Sequence, residues 1–271
     1  MATRDFSLRQ VQQALLTDAA ARSANPAEPR LAATVMLVRD GDGVEVFMQR
    51  RVASMAFAPS MHVFPGGGAD PRDAEGVPWA GPTPSEWAEL MGLPGAEARM
   101  LVAAAVRELY EEAGVLLASP EGGEPAPFAH DVAVEHRRRL VAREVSFGEL
   151  LREEGLVLRS DLLRVRARWI SPAIEPRRYD TWFFVAQVPP GQTADDATSE
   201  VDHAAWAVPR EILARYHRDE VVMLPPTVVS VEGVGAAPDV ASLLMEPAEL
   251  TPVLPVLAET ADGPVMRIDL P

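Results

Sequence analysis

The spacing of apolar positions predicts the strands of the chain. An apolar run over residues 31–39 is typical of a buried strand, a turn signal follows at 40–43, and residues 44–49 form the returning strand of a hairpin. Aliphatic and aromatic residues over 165–170 and 179–188 indicate two more strands. Shorter signals predict strands over residues 204–208, 253–257 and 265–268. We therefore expect a sheet around a first hairpin, and a second hairpin from the last two segments.

Capping residues and helical periodicity predict the helices. Thr83 and Glu86 form a capping box around Pro84, a residue favoured at the first helical position. The predicted helices cover residues 7–21, 84–91, 96–113, 131–143, 146–154, 209–218 and 238–245, with another beginning near 224. Helices interspersed among strands favour an α/β fold in which a mixed sheet carries helices on both faces.

Composition and charge exclude several function classes. The chain of 271 residues has a formal charge of −15, and its 25 basic residues are all arginine. Such acidity argues against duplex nucleic acid as a partner, because phosphate neutralisation needs a basic surface. The absence of cysteine excludes disulfides, thiolate zinc sites and a thiol nucleophile. Because no apolar run approaches about 20 residues, we expect a cytoplasmic protein without a membrane partner.

The most informative segment is residues 107–115, which read Arg-Glu-Leu-Tyr-Glu-Glu-Ala-Gly-Val. Glu108, Glu111 and Glu112 stand at i, i+3 and i+4, so on a helix they share an arc of about 100°. Three close carboxylates repel one another, and the cluster is stable when it is solvated, protonated or neutralised by a hard cation. The pattern therefore indicates either an ordinary solvated helix face or a metal site.

Two neighbouring features favour the metal site. Arg107 precedes Glu111 by four residues and can brace its carboxylate across one helical turn. Upstream, residues 64–68 read Phe-Pro-Gly-Gly-Gly, a turn that lets backbone approach a ligand closely. Gly114 follows the cluster where a left-handed residue would end the helix.

These residues resemble the Nudix box, G-x5-E-x7-R-E-U-x-E-E-x-G-U, in which U is a bulky aliphatic residue. The matching positions are Gly67, Arg107, Glu108, Glu111, Glu112 and Gly114. The resemblance covers about residues 31–218 and implies the Nudix α/β/α sandwich. It leaves residues 1–30 as an N-terminal helical arm and residues 219–271 as an extension packed on the domain.

The middle of the box departs from the family pattern. Arg107 follows Gly67 by 40 residues instead of 14, so about 26 residues, roughly 73–98, are inserted. The first acidic position of the box falls on Asp73 by direct counting, or on a residue after the insertion such as Glu97. A split box is similar to the subgroup that includes peroxisomal coenzyme A diphosphatases, although Ala56 and Ser60 replace two residues of its coenzyme A signature.

The resemblance implies metal-assisted hydrolysis of a phosphoanhydride in a small-molecule diphosphate. Glu108, Glu111 and Glu112 would hold Mg²⁺ or Mn²⁺, and the catalytic assignments are Glu111, Glu112 and, as a distal general base, Glu200. The predicted substrate-binding residues are Arg50, Arg51, Gly66, Gly67, Arg107 and Arg177. Coenzyme A derivatives, dinucleotides, dinucleoside polyphosphates and nucleotide sugars all remain open as substrates.

Other residues have weaker claims to a role. His62 and His203 could take a proton near neutral pH, although a single histidine is more often structural or exposed. Trp182, Phe183 and Phe184 belong to one strand, where core packing is favoured over stacking on a base. The alternatives for the whole protein are a non-catalytic Nudix-like domain that binds a nucleotide or metabolite, and an interaction scaffold. The extra arms leave a homodimer open.

Overall fold

The computed structural model describes residues 2–8, 16–52, 60–195 and 201–271. The strands are β1 (Ala2–Ser7), β2 (Arg30–Gly41), β3 (Gly43–Arg51), β4 (His62–Val63), β5 (Gly66–Gly68), β6 (Trp79–Ala80), β7 (Ala118–Ser119), β8 (Val157–Arg159), β9 (Arg164–Ile170), β10 (Tyr179–Gln187), β11 (Val201–Ala207), β12 (Val256–Thr260) and β13 (Gly263–Leu270). The helices are α1 (Ala19–Ala24), α2 (Pro84–Met91), α3 (Gly95–Ala113), α4 (His130–Val141), α5 (Phe147–Glu153), α6 (Pro209–His217), α7 (Pro225–Ala236) and α8 (Val240–Met245).

The central sheet is mixed, as the sequence predicts. Its strand order is β11-β3-β2-β10-β9, with β2 and β10 parallel and the other neighbours antiparallel. The β2–β3 hairpin is paired only near its turn, from Val38 to Gly41 on the first strand. Beyond that point β5 pairs with Ala32–Thr34 of β2 and β4 pairs with the end of β3. The Gly-rich turn is therefore held between two diverging strands of the sheet.

Both faces of the sheet are buried, which confirms the predicted α/β/α sandwich. Val35 and Trp182 point into the core that contains α3, whereas Val38 and Val185 point into a second core under α7 and α8. Alternation along the strands explains the division, since successive side chains point to opposite faces. Helix α3 therefore packs against the sheet directly beneath β5.

The helix predictions agree with the structure except in the N-terminal arm. The capping box at Thr83 and Glu86 is formed, and a second one at Ser146 and Glu149 begins α5. The single helix expected over residues 7–21 is wrong. Ser7 ends strand β1, and α1 begins only after Asp18, whose φ of 59° is left-handed and cannot continue a helix.

The two ends of the described chain share one small sheet. Its order is β1-β13-β12, in which β12 and β13 form the predicted terminal hairpin and β1 adds along the outer edge of β13. Arg4 also pairs with Glu232 on α7, with the shorter N–O distance at 2.5 Å. The arm over residues 1–30 is therefore not wholly helical. Among the described residues, no helix has both the length and the apolar character needed to span a bilayer.

Candidate functional site

Helix α3 presents the acidic cluster because its other face is fixed in the core. Val102, Val106 and Leu109 are fully buried against the sheet, so rotation of the helix about its axis would expose them at a cost of about 1.5–3 kcal/mol each. Gly114 ends the helix with a φ of 70°, a conformation that glycine adopts without strain. Sequence and packing together direct the glutamates towards strand β5.

Arg107 is the centre of the acidic cluster. Its Nε and Nη2 donate to the two carboxylate oxygens of Asp73 at 2.7 and 3.0 Å. Its Nη1 donates to Glu108 at 2.9 Å and to Glu111 at 3.3 Å. The predicted bracing of Glu111 is therefore present, and the same guanidinium also neutralises Asp73, which is only 3% exposed.

Of the two residues proposed for the first acidic position of the box, Asp73 contacts Arg107. Asp73 lies in a single 3-10 turn directly after β5 and caps that turn by accepting from the backbone of Asp70 at 2.8 Å. Glu97 lies in the first turn of α3, ten residues before Arg107 and so about 15 Å away along the helix. This contact supports Asp73 as the first acidic residue of the box, with the insertion after it.

The Gly-rich strand β5 lies against the carboxylates. A Cβ added to Gly67 would come within 2.5 Å of a Glu108 carboxylate oxygen, so only glycine allows this approach. The Gly66 N–H donates to the Glu112 carboxylate at 3.0 Å, and Gln49 Nε2 donates to the Glu112 carbonyl at 2.9 Å. The β5 backbone thus contacts the glutamates of α3 directly.

The electrostatics of this cluster suit a divalent cation with oxygen ligands. Burial raises the pKa of the Glu108 carboxyl to about 7, against the lowering effect of Arg107, and the Glu111 charge raises it further. Arg107 pairs with Asp73, Glu108 and Glu111, so three carboxylates gather around one guanidinium, and Glu112 lines the same cavity. Carboxylate oxygens without nitrogen or sulfur ligands favour a hard ion such as Mg²⁺.

The carboxylates do not form a complete metal cage by themselves. Across residues 2–8, 16–52, 60–195 and 201–271, no three His, Asp or Glu side chains gather closely enough to hold an ion. Mg²⁺ is usually bound through one or two carboxylates together with water and substrate phosphates. The predicted ligand set of Glu108, Glu111 and Glu112 is compatible with that mode and remains a proposal.

A cavity of about 550 Å³ lies beside the cluster. One group of lining residues, here called the acidic wall, consists of Asp73, Arg107, Glu108, Glu111 and Glu112. A second group, here called the apolar wall, consists of Trp169, Phe183, Leu224, Pro225, Pro226, Pro255 and Met266. The volume lies within the range of small-molecule sites, about 300–1,000 Å³. The cavity therefore offers a charged region and an apolar region to one ligand.

The predicted substrate-binding residues divide between the cavity and the outer surface. Arg51, Gly66, Gly67 and Arg107 line the cavity, whereas Arg50 and Arg177 are exposed and do not. Arg178 donates to backbone carbonyls of Ser171 and Ala27, which is a structural role. Glu200, the predicted distal base, and Ala56 lie outside the described residues.

The remaining single-residue predictions are decided by strand alternation. Trp182 and Phe184 are fully buried, while Phe183 points the other way and lines the cavity. His62 in β4 and His203 in β11 do not line it. Trp182 and Phe184 therefore pack in the first core. Of these three aromatic residues, only Phe183 lines the cavity that a ligand would occupy.

Sequence reasoning missed most of the apolar wall and the cations at the rim. Arg72 and Arg143 line the cavity and pair with Asp70 at 3.3 and 3.5 Å. Glu175, in the turn between β9 and β10, also lines it. Period-two alternation of β10 was the available signal, since it places Phe183 on the face away from the first core. Nothing in the local sequence indicated that Pro255 and Met266 would line the cavity.

Comparison with known proteins agrees with this geometry. The family profile described as the NUDT19 Nudix domain matches residues 91–234. Acyl-coenzyme A diphosphatase NUDT19 of Gallus gallus is 30% identical over 223 residues, an alignment that covers 67% of this chain and 58% of that protein. Putative nudix hydrolase 7 of Caenorhabditis elegans is 29% identical over 183 residues, covering 68% and 53% respectively. This chain thus spans little more than half the length of these curated relatives.

A solved structure shows the same architecture. The crystal structure of a NUDIX hydrolase from Alicyclobacillus acidocaldarius is 27% identical and superposes with a TM-score of 0.68. The superposition covers 82% of this chain and 98% of that one, so it extends well beyond the box. Together with the acidic helix and the Gly-rich strand, these matches show that the chain belongs to the Nudix hydrolases, in the family of the NUDT19 Nudix domain.

Proposed function

We propose that this protein hydrolyses the diphosphate bond of coenzyme A or of an acyl-coenzyme A, with Mg²⁺ or Mn²⁺ as cofactor. The observation that carries the proposal is one cavity with an acidic wall and an apolar wall. A substrate with a diphosphate between two larger groups matches that division. Two relatives named as acyl-coenzyme A diphosphatases, from Gallus gallus and Xenopus laevis, support this choice over nucleotide sugars or dinucleotides.

In this proposal Glu108, Glu111 and Glu112 hold the metal. The bound ion would neutralise phosphate oxygens and lower the pKa of a water molecule. Gly66 and Gly67 fix the carboxylates through the contacts with Glu112 and Glu108, so their orientation is set before substrate binds. This arrangement keeps the cost of reorganisation during the reaction low.

The proposed reaction adds water across the phosphorus–oxygen–phosphorus bridge and yields two phosphate monoesters. Glu111 and Glu112 are proposed to orient the attacking water, with Glu200 as the group that accepts its proton. Arg51, Arg72 and Arg143 line the same cavity and are proposed to contact the diphosphate. Arginine suits this role because its planar fork can donate two hydrogen bonds to one phosphate.

The direct test is hydrolysis of coenzyme A by the wild type and by the Glu111→Gln/Glu112→Gln double variant. We expect hydrolysis only with Mg²⁺ or Mn²⁺, and a loss of at least about 1,000-fold in the double variant. The exposed Glu211→Gln variant is the matched control and should keep wild-type activity. Full activity in the double variant would refute the assignment of these carboxylates.

The same experiment separates the proposal from the two alternatives. A non-catalytic domain that binds a nucleotide or metabolite predicts saturable binding of coenzyme A without release of products. An interaction scaffold predicts that neither Mg²⁺ nor coenzyme A raises the melting temperature, because only a ligand bound to the native state can do so. A panel of NADH, dinucleoside polyphosphates and nucleotide sugars, assayed in parallel, tests the choice of substrate.

A further inference from the structure

Polar side chains line the cavity beside the residues of the apolar wall. Glu175, Thr181 and Thr227 line it alongside Trp169 and Phe183. Within the described part of the chain, the Glu175 carboxyl and the two threonine hydroxyls make no hydrogen bond. The Glu175 carboxyl therefore presents hydrogen-bonding capacity to whatever fills this part of the cavity.

These groups discriminate between the two halves of a coenzyme A-like substrate. The amides of a pantetheine arm can hydrogen-bond, but the arm offers no ring face to Trp169 and Phe183. A hydrocarbon chain packed on this wall would separate a carboxyl group and two hydroxyls from water without replacing their hydrogen bonds. Each buried polar group left in this way is destabilising. A planar heteroaromatic ring offers ring faces to Trp169 and Phe183 and polar edges to Glu175 and the threonines.

We propose that the apolar wall is the nucleobase subsite, in which Glu175 and Thr227 recognise the polar edge of an adenine-type base. This inference rests on the proposed function, since it takes the ligand to be a nucleotide diphosphate. The pantetheine or acyl arm then leaves the acidic wall in another direction.

The environment of Glu175 suits an edge that carries an amino group beside a ring nitrogen. Burial raises the pKa of its carboxyl to about 7, and the positive charge of Arg22 opposes that rise. Near neutral pH a large share of the group is protonated, and a protonated carboxyl both donates and accepts. Adenine presents such a donor and acceptor side by side, whereas an aliphatic chain presents neither.

The turn that carries Glu175 is held in place from both sides. Arg22 of α1 donates to the Ile174 carbonyl, and the Ile174 side chain is buried in the second core with Trp169 and Phe183. Thr227, which lines the same cavity, lies in the first turn of α7 and is 6% exposed. Both groups are therefore preorganised, which reduces the entropy lost when a ligand binds.

The test measures binding of the two halves of coenzyme A separately by titration calorimetry. The probes are 3′,5′-ADP and 4′-phosphopantetheine, with the wild type, Glu175→Ala, Glu175→Gln and Thr227→Val. We expect Glu175→Ala and Thr227→Val to weaken 3′,5′-ADP about fivefold to thirtyfold, the range for one buried hydrogen bond. Affinity for 4′-phosphopantetheine should change less than about twofold.

Two variants keep the result interpretable. Glu175→Gln preserves shape and one donor–acceptor pair, so it should retain most of the affinity for 3′,5′-ADP. Glu211→Ala, on an exposed face of α6, is the matched control for Glu175→Ala. A melting curve for each variant checks that it is folded.

The proposal is overturned if the losses fall on 4′-phosphopantetheine, if neither ligand is affected, or if wild type fails to bind 3′,5′-ADP at millimolar concentration. Its failure is distinguishable from failure of the proposed function. Hydrolysis of coenzyme A is measured independently, and binding of 3′,5′-ADP by a protein without turnover would retain the subsite while removing the reaction.

Discussion

The two walls of the cavity are built in different ways. The acidic wall comes from the turn after β5 and one face of α3, and its contacts are ion pairs and hydrogen bonds, one of them to the β5 backbone. The apolar wall comes from β9, β10, the start of α7 and the C-terminal hairpin, which are far apart in sequence. The acidic wall is thus a local unit, whereas the apolar wall depends on long-range packing that can vary without disturbing it.

The strongest way to break the acidic wall is Arg107→Ala. This change leaves Asp73 buried without its bidentate partner, and removal of one member of a buried ion pair costs about 3–5 kcal/mol. We expect a loss of that size in the free energy of unfolding measured with urea. Arg138→Ala removes the exposed pairs with Glu135 and Glu144 and should change stability little. Equal losses in both variants would contradict a central role for Arg107.

A second, smaller effect tests whether the Gly67 backbone must contact the Glu108 carboxylate. In Gly67→Ala the new methyl group would lie 2.5 Å from a Glu108 oxygen, so the carboxylate has to move. We expect a fall of about 100-fold in kcat/KM for coenzyme A. In Gly68→Ala the methyl group meets no atom within 4 Å, and the loss should be much smaller. Similar effects at both positions would mean that the contact with Glu108 is not needed.

The smallest predicted effect concerns Glu175, beside the apolar wall, and is a dependence of the free energy of unfolding on pH. Because the pKa of Glu175 is raised to about 7 in the folded protein, the native state holds this proton more tightly than the unfolded chain does. The contribution of Glu175 to the free energy of unfolding is fully present below about pH 4.5. It is lost as the pH rises through about 7 and does not change further at higher pH. The expected loss is about 1–3 kcal/mol.

Thermal unfolding at pH 5 and pH 8 measures this effect. The fall in stability between the two pH values should be smaller in Glu175→Gln than in wild type, because glutamine does not titrate. Glu211→Gln, on the exposed face of α6, should show the wild-type difference. A Glu175→Gln variant with an unchanged pH dependence would remove the support that this carboxyl gives to the nucleobase subsite.

The acidic wall was predictable because its signals are local. The spacing of Glu108, Glu111 and Glu112 follows directly from helical geometry, and capping boxes such as that at Thr83 fixed several helix limits. The pairing of Asp73 with Arg107 required the structure, because the insertion hides the register of the box.

The apolar wall was not predictable from single segments. Glu175 looks like an ordinary loop carboxylate in sequence, and its burial depends on α1 and the second core. Met266 reaches the cavity only because the terminal hairpin folds back over the domain. The single helix predicted over residues 7–21 was wrong for the same reason. Residues 2–7 become a strand through pairing with β13, a partner more than 250 residues away.

That last pairing has a practical consequence for the design of expression vectors. Strand β13 carries Met266 into the cavity and holds the first strand of the chain along its edge. A bulky affinity tag fused near Ala2 would crowd this shared sheet, whose strand β13 lines one side of the cavity. Tagged and cleaved preparations should therefore differ in KM for coenzyme A, whereas their dependence on metal should be the same.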